Sequence, residues 1–137
     1  MPGLIPIPRA MAAALLMLAL ADCAPASHGA RLSATRWEFA LIDGQRPFSD
    51  AADMRFDNGQ ISVLVGCNRI SGPWRIFESR LLAGPLVQTE LACPAPAWDQ
   101  EKAVSSLLAA APRMRLEKER LILQSGGHSA ELVRADE

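Results

Sequence analysis

The chain is poor in the residues that most often carry catalysis or bind a metal. Its 137 residues include two histidines and three cysteines. Structural zinc needs four Cys or His ligands, commonly in closely spaced pairs, and the spacing here offers no such set. A cysteine nucleophile needs a base within hydrogen-bond reach, but His128 follows Gly126 and Gly127, a pattern typical of a solvated turn. A zinc site and a dyad of His128 with Cys67 or Cys93 are therefore both disfavoured.

Phosphate-binding and serine-hydrolase motifs are missing as well. Gly66, Gly72 and Gly84 do not open a helix, and no lysine follows them in the pattern of a phosphate-binding loop. The serines lack the elbow motif of serine hydrolases, and we expect the acidic residues of the strands and the helix to face solvent. The sequence therefore predicts a protein that is not an enzyme, with no catalytic residue, metal or cofactor.

A strong charge of one sign is also absent, since the formal net charge is −1 at pH 7. Nucleic-acid binding would need a face of clustered basic residues. The basic residues between positions 113 and 120 are interleaved with Glu117 and Glu119, which indicates a solvated hairpin. We therefore expect no nucleic-acid partner.

The longest apolar run, residues 11–21, is much shorter than the roughly 20 residues that a bilayer span needs. Arg9 precedes the run and Pro25 follows it, which indicates a signal peptide, with a buried helix of the fold as the alternative. Cleavage after Ala21 would release a soluble periplasmic protein. The Leu20–Cys23 segment resembles a bacterial lipobox, although Asp22 is atypical there, and cleavage before Cys23 would give a lipoprotein anchored in the membrane and facing the periplasm.

The remaining chain divides into two parts. After a signal peptide at 1–22, residues 23–34 are small and turn-prone, which predicts a flexible tether. Residues 35–134 form one domain, because the length allows a single small core. With Cys23 available for a lipid, an oxidising compartment favours a disulfide between Cys67 and Cys93, worth about 3.5 kcal/mol by loop-closure entropy. The alternative is two buried, unpaired thiols.

Alternating apolar and polar residues from Thr35 onward predict short strands. Asn58–Gly59 between two such runs predicts a hairpin with a type I′ turn. Pro73 and Pro85 are expected at strand edges or strand ends. The apolar spacing over residues 97–110 predicts the one good helix, which Pro112 ends, and three more short strands follow.

Two sequence blocks resemble the META domain (HslJ-like) family of bacterial envelope proteins over about residues 32–134. The first block is Gly66–Arg69 with Ser71 and Gly72, and the second is Thr89 with Ala92 and Cys93. Val65, Trp74 and the pair Glu90–Leu91 depart from the usual family pattern. The family positions that we single out are Trp37, Gly66, Cys67, Asn68, Arg69, Ser71, Gly72, Thr89, Ala92 and Cys93.

The resemblance implies an α+β fold, in agreement with the order of strands and helix. We expect a curved antiparallel sheet, partly open and barrel-like, of about seven to eight short strands packed on one main helix. Members of the family are linked to heat-shock response, to resistance to some antibiotics such as novobiocin, or to secretion and virulence, without an established catalytic activity.

The expected function is that of a monomeric, non-catalytic envelope lipoprotein that binds another envelope protein in stress response or antibiotic tolerance. Arg69, Trp74 and Arg75 are the candidate binding surface, since Arg and Trp are common interface anchors. An alternative is a small-molecule or lipid-binding periplasmic protein. Its cavity would be lined by Trp37, Phe39, Phe56 and Val104. A third possibility is an inhibitor of a secreted hydrolase.

Overall fold

The computed structural model describes residues 2–4 and 24–136. The predicted signal-peptide run at 11–21 and the predicted lipidation site Cys23 lie outside these residues. No helix within the described ranges is long and apolar enough to cross a membrane. The helices are α1 (His28–Leu32) and α2 (Ala97–Ala109), and the strands are β1 (Thr35–Ile42), β2 (Asp53–Phe56), β3 (Gln60–Leu64), β4 (Arg69–Phe77), β5 (Arg80–Ala83), β6 (Val87–Gln88), β7 (Arg113–Glu117), β8 (Arg120–Gln124) and β9 (Ser129–Arg134).

Eight of these strands form a closed antiparallel barrel. The order around the ring is β3-β2-β1-β9-β8-β7-β5-β4, and β4 pairs with β3 to complete it. The first and last strands, β1 and β9, are neighbours in the ring. The prediction of antiparallel strands on one main helix is confirmed, but the prediction of a partly open sheet is wrong. Alternation shows which side of a strand is buried, whereas closure depends on pairing between distant strands, which local patterns do not encode.

Helix α2 follows the predicted bounds to within one residue and packs on the barrel through Val104, Leu107 and Leu108, which are buried. It contacts β5, β1 and β9. Because β5 and β9 are separated by two other strands of the ring, we infer that the helix crosses an opening of the barrel.

The core consists of inward-facing strand residues together with the buried face of α2. Trp37 is fully buried, and its indole Nε1 donates a hydrogen bond to Thr35 Oγ1 over 2.8 Å. Small barrels are filled by their own side chains. The four residues predicted to line a ligand cavity are all members of this core: Trp37, Phe39, Phe56 and Val104.

Ordered structure begins before residue 35, within the segment predicted to be a flexible tether. Ser27 caps α1 by accepting a hydrogen bond from Ala30 N, and Leu32 at the end of this helix is fully buried in the core. A single large apolar side chain can hold a short segment on a domain. The boundary between tether and domain therefore lies earlier than the composition of the segment indicates.

One prediction about a turn and one about the position of a proline need correction. Asn58–Gly59 does join β2 and β3, but only Gly59 has a positive φ, so the turn is not type I′. Pro73 lies inside β4, where pairing with β3 ends at Pro73 and pairing with β5 begins at Trp74. A proline is tolerated there because the strand changes partner at that residue. Pro85 follows the end of β5, as predicted.

Candidate functional site at the disulfide

The turn between β3 and β4 is held by a network of side-chain hydrogen bonds. Gly66, Cys67 and Asn68 form this turn, and Glu101 of α2 faces it with no exposed surface. Each oxygen of the Glu101 carboxylate accepts two hydrogen bonds. Oε2 accepts from Cys67 N over 3.0 Å and from Asn68 N over 2.9 Å. Oε1 accepts from Asn68 Nδ2 over 2.9 Å and from Gln88 Nε2 over 2.6 Å.

Asn68 connects this turn to the segment that follows β6. Its side-chain Oδ1 accepts hydrogen bonds from Leu91 N over 2.6 Å and from Thr89 Oγ1 over 3.0 Å. Its Nδ2 also donates to Leu91 O over 3.1 Å. Thr89 Oγ1 in turn accepts from Arg69 N over 3.0 Å. The asparagine thus acts as a backbone-like bridge between two chain segments that have no regular strand pairing here.

Cys67 and Cys93 form a disulfide with a Cα–Cα distance of 5.4 Å, which confirms the predicted pairing. Gly66 lies against the same group of atoms. A Cβ on Gly66 would approach Ala97 O and Glu101 Oε2 to 2.9 Å, and Cys93 Sγ to 3.1 Å. Glycine is therefore required here by the close approach of the turn to α2. We call this assembly, the turn 66–69 with segment 87–98 and Glu101, the disulfide corner.

The expectation that acidic residues face solvent is wrong for Glu101 and Asp53, which are both buried. Glu101 lies on the apolar face of α2, because Ala97, Val104 and Leu108 are four, three and seven positions away from it. A lone carboxylate in such a stripe is a signal of a buried, bonded acid, because an unbonded one would be costly. Asp53 is covered by Arg36 and Arg55, whose Nε atoms lie 3.0 and 3.1 Å from Oδ2.

The three residues predicted to form a binding surface lie in two separate places on β4. Arg69 and Arg75 are exposed on β4, separated by roughly 20 Å of strand. Trp74 is half-buried, with its ring edge-on to Phe56 at 4.9 Å and its Nε1 donating to Asp57 O over 3.1 Å. Arg69 belongs to the disulfide corner. Trp74 and Arg75 instead line a groove of about 370 Å³ that also includes Pro85 and Leu108.

His128 lies in the turn between β8 and β9 and is paired with a carboxylate. Its Nδ1 is 2.8 Å from Asp43 Oδ2, and Asp43 Oδ1 accepts from Ser129 N over 2.8 Å. Burial by itself would raise the pKa of Asp43, but the hydrogen bonds and the charge interaction with His128 outweigh it and lower that pKa. Over residues 2–4 and 24–136, no group of three or more Cys, His, Asp or Glu side chains is placed to hold a metal ion.

The protein is thus a small closed antiparallel barrel with one main helix and one disulfide. The META domain family matches residues 30–137, and the protein belongs to that family. The resemblance inferred from the two sequence blocks is therefore confirmed.

No curated protein matches the chain. The fold is similar to that of two proteins studied by NMR. One structure has a TM-score of 0.70 at 21% identity and covers 79% of this chain and 95% of its own. The other, of a protein from Burkholderia xenovorans, has a TM-score of 0.68 at 21% identity and covers 83% of this chain and 93% of its own. At this identity the likeness shows the fold alone.

Proposed function

We propose that the protein is a non-catalytic, exported component of the cell envelope that binds another envelope protein through its disulfide corner. The process it serves would be stress response or antibiotic tolerance, as the family resemblance implies. The observation that carries this proposal is the combination, in one place, of a rigid backbone and exposed apolar side chains.

Three large apolar residues of the disulfide corner are exposed. Val87 is 67% exposed, Leu91 63% and Trp98 39%. The hydrogen bonds of Glu101 and Asn68 and the disulfide hold the backbone that carries them, so little conformational entropy would be lost on binding. Exposed apolar residues beside a polar rim are typical of protein-binding surfaces. Arg69, one of the predicted anchors, is an exposed charged residue of the same corner.

Export is supported by the disulfide between Cys67 and Cys93, since such bonds persist in oxidising compartments. With these two paired, Cys23 is the remaining cysteine, and a lipid on Cys23 would anchor the protein in the membrane. Intact mass spectrometry of the protein taken from the membrane fraction tests the anchor. An unmodified N-terminus at Asp22 or Cys23 would exclude lipidation.

Photo-crosslinking in living cells tests the binding surface. A photoreactive residue at Leu91 or Val87 should give one discrete adduct with an envelope protein, identified by mass spectrometry. Phe77 is the matched control, because it is apolar and 57% exposed but lies at the β4–β5 turn. Adducts that are equally frequent at Phe77 and Leu91, or absent from both corner positions, would overturn the proposal.

Complementation links the surface to the process. In a deletion strain, the Leu91→Asp protein should fail to restore growth under heat or novobiocin, whereas the Phe77→Asp protein should restore it. Equal levels of both variants must be shown by immunoblot. Full rescue by Leu91→Asp would mean that the disulfide corner is not the functional surface. An adduct with a secreted hydrolase, together with inhibition of that enzyme, would identify the inhibitor function instead.

The groove beside Trp74 favours a second candidate, the binding of a small molecule or lipid. Pro85 and Leu108 offer apolar surface there, and Arg75 offers a charge at the edge, the combination that ligand sites commonly use. Native mass spectrometry of protein purified from its own host tests this alternative. A co-purified ligand that is lost in the Trp74→Ala protein would support it, and unliganded protein with no shift on lipid addition would remove it.

A further inference from the structure

The pairing of β5 with β7 is the weakest junction of the barrel. A single register pair, Arg80 opposite Arg113, joins these strands. Two backbone hydrogen bonds flank it, from Leu81 N to Pro112 O over 3.0 Å and from Met114 N to Ser79 O over 2.7 Å. By comparison, β7 and β8 share five paired positions. The closure of the ring at this point therefore depends on one pair of residues.

That pair carries two like charges. Residues directly opposite in an antiparallel pair have Cα atoms about 4.5–5.5 Å apart, and like charges in this position are destabilising. Neither Arg80 nor Arg113 has a carboxylate oxygen within 4.0 Å among residues 2–4 and 24–136, whereas the neighbouring Arg115 lies 2.7 Å from Glu117. In the described part of the chain, the junction thus brings together two arginines that form no salt bridge, in a protein with a net charge of −1. Glu78 is an acidic residue that lines the adjoining cavity.

One of the two guanidinium groups is already held in place. Arg80 Nη1 donates to Ala111 O over 2.8 Å, which leaves the other N–H groups of this side chain available. An arginine fixed at one nitrogen loses less entropy when it binds a ligand. Arg113 approaches from the opposite strand, so two planar groups with several donors face one space.

The space between and beside the two arginines is open. A cavity of about 370 Å³ is lined by Arg80, Arg113, Gln124, Ser125 and Gly126. A second cavity of about 560 Å³ shares both arginines and Gln124 and extends to Arg115 and Glu78. Paired arginines bind tetrahedral oxyanions through charge-assisted hydrogen bonds to several oxygens. Gln124 adds a neutral amide donor.

We propose that Arg80 and Arg113 form a binding site for a phosphate group at the β5–β7 junction. A bound phosphate neutralises the two like charges and bridges the strands, so that binding also stabilises the closed barrel. The site is independent of the disulfide corner. The phosphate belongs either to a soluble compound or to an anionic lipid headgroup, which share this chemistry.

The first experiment measures phosphate binding by the full chain. Isothermal titration calorimetry and thermal unfolding are carried out with inorganic phosphate, against chloride at equal ionic strength. Phosphate should raise the melting temperature of the wild-type protein above its value in chloride. Arg113→Gln should weaken phosphate binding by roughly ten- to a hundredfold, because it removes charged hydrogen bonds. The matched control is Arg46→Gln, because Arg46 is exposed between β1 and β2 and lines neither cavity. This variant should bind phosphate as the wild type does.

A charge reversal keeps the test informative if neutral variants are unstable. Arg113→Glu places an opposite charge across from Arg80, so in chloride it should melt at a higher temperature than the wild type and no longer respond to phosphate. The proposal is overturned if phosphate and chloride stabilise the wild type equally, or if Arg113→Gln and Arg46→Gln bind phosphate equally well. A lower melting temperature of Arg113→Glu in chloride would also overturn it.

Vesicles distinguish the two sources of phosphate. Binding to vesicles of phosphatidylglycerol and phosphatidylcholine, but not to phosphatidylcholine alone, with competition by free phosphate, would assign the site to a lipid headgroup. Phosphate binding by the wild type without vesicle binding would assign it to a soluble phosphate compound. Vesicle binding that persists in Arg113→Gln would place lipid contact elsewhere and count against the site.

Discussion

The disulfide corner and the β5–β7 junction hold the same barrel together in very different ways. At the corner, a disulfide, a fully bonded carboxylate and an asparagine bridge join segments that have little strand pairing. At the junction, one register pair carries two arginines, and within residues 24–136 no disulfide or salt bridge joins the two strands. The buried polar side chains of the corner have hydrogen-bond partners within the chain. The junction instead leaves charge and hydrogen-bond donors available.

This difference separates structural from ligand-accessible polar groups. Glu101 is buried with four donors around it, so any further ligand would have to displace a bond already made. Arg80 and Arg113 line open cavities and have further N–H groups that can donate to a ligand. Burial and bonding of a polar group, more than its type, therefore indicate whether it serves the fold or a ligand.

The largest expected effect comes from removing the carboxylate at the corner. Glu101→Ala should lower the free energy of unfolding by about 4 kcal/mol, because it removes four hydrogen bonds to one buried carboxylate and leaves the buried Asn68 N without its acceptor. Urea unfolding followed by circular dichroism measures the change. Asp99→Ala on the same helix is the control, since Asp99 is exposed, and it should cost less than about 1 kcal/mol. Similar losses for the two variants would show that the Glu101 bonds contribute little.

The disulfide should contribute slightly less. Replacing Cys67 and Cys93 together by serine is expected to cost about 3.5 kcal/mol, mainly by increasing the entropy of the unfolded chain. Urea unfolding of the wild-type protein with and without reductant provides the comparison. The double variant must not respond to reductant. If reduction leaves the wild-type midpoint unchanged, the rigidity of the corner does not depend on the disulfide.

Filling the space at Gly66 should cost about 2 kcal/mol, because the added methyl group overlaps Ala97 O and Glu101 Oε2. The change is Gly66→Ala, and thermal unfolding measures it. Gly126→Ala is the matched control at the other region, since a Cβ there meets nothing within 4 Å. Equal melting temperatures for the two variants would contradict the close packing of turn and helix.

Near the β5–β7 junction, a single substitution should increase the stability of the protein. Glu78 and Ser79 connect β4 to β5 with φ values of 48° and 60°, which glycine adopts more readily than other residues. Ser79→Gly should therefore raise the free energy of unfolding by about 1 kcal/mol. Ser33→Gly, where φ is −58°, should give no such gain. A loss of stability in Ser79→Gly would show that its hydroxyl makes a contact more important than backbone strain.

The smallest effect concerns pH and lies outside both regions. Because the folded state lowers the pKa of Asp43, ionised Asp43 stabilises the fold above the unfolded pKa, and this contribution is lost as pH falls below about 4. Asp43→Asn should therefore reduce the dependence of the melting temperature on pH in that range. Identical acid profiles for the variant and the wild type would contradict a role for the His128 pair.

Local patterns predict many elements of this fold well. The helix at Ala97–Ala109, the short strands on either side of it and the pairing of Cys67 with Cys93 all follow from spacing, turn residues and cysteine count. The inward position of Trp37 agrees with the alternation along β1. These features depend on neighbours a few residues apart or on the chemistry of the compartment, which a sequence contains directly.

The candidate sites were less predictable. Glu101 is distant in sequence from Cys67 and Asn68, so its acceptor role depends on how α2 meets the β3–β4 turn. Arg69 and Arg75 have the same parity on β4, but they lie beside different strands because β4 changes partner at Pro73. Alternation alone could not show this change, nor could it show that β5 meets β7 at a single pair.

The sequence by itself determined the family, the cysteine pair and the order of strands and helix, because each depends on local periodicity and residue type. Only the tertiary structure decided that the barrel closes, that Glu101 is an internal acceptor and that Arg80 faces Arg113. These three facts arise from contacts between segments that are far apart in the chain. Such contacts depend on how the whole core packs, and no short window of residues contains that information.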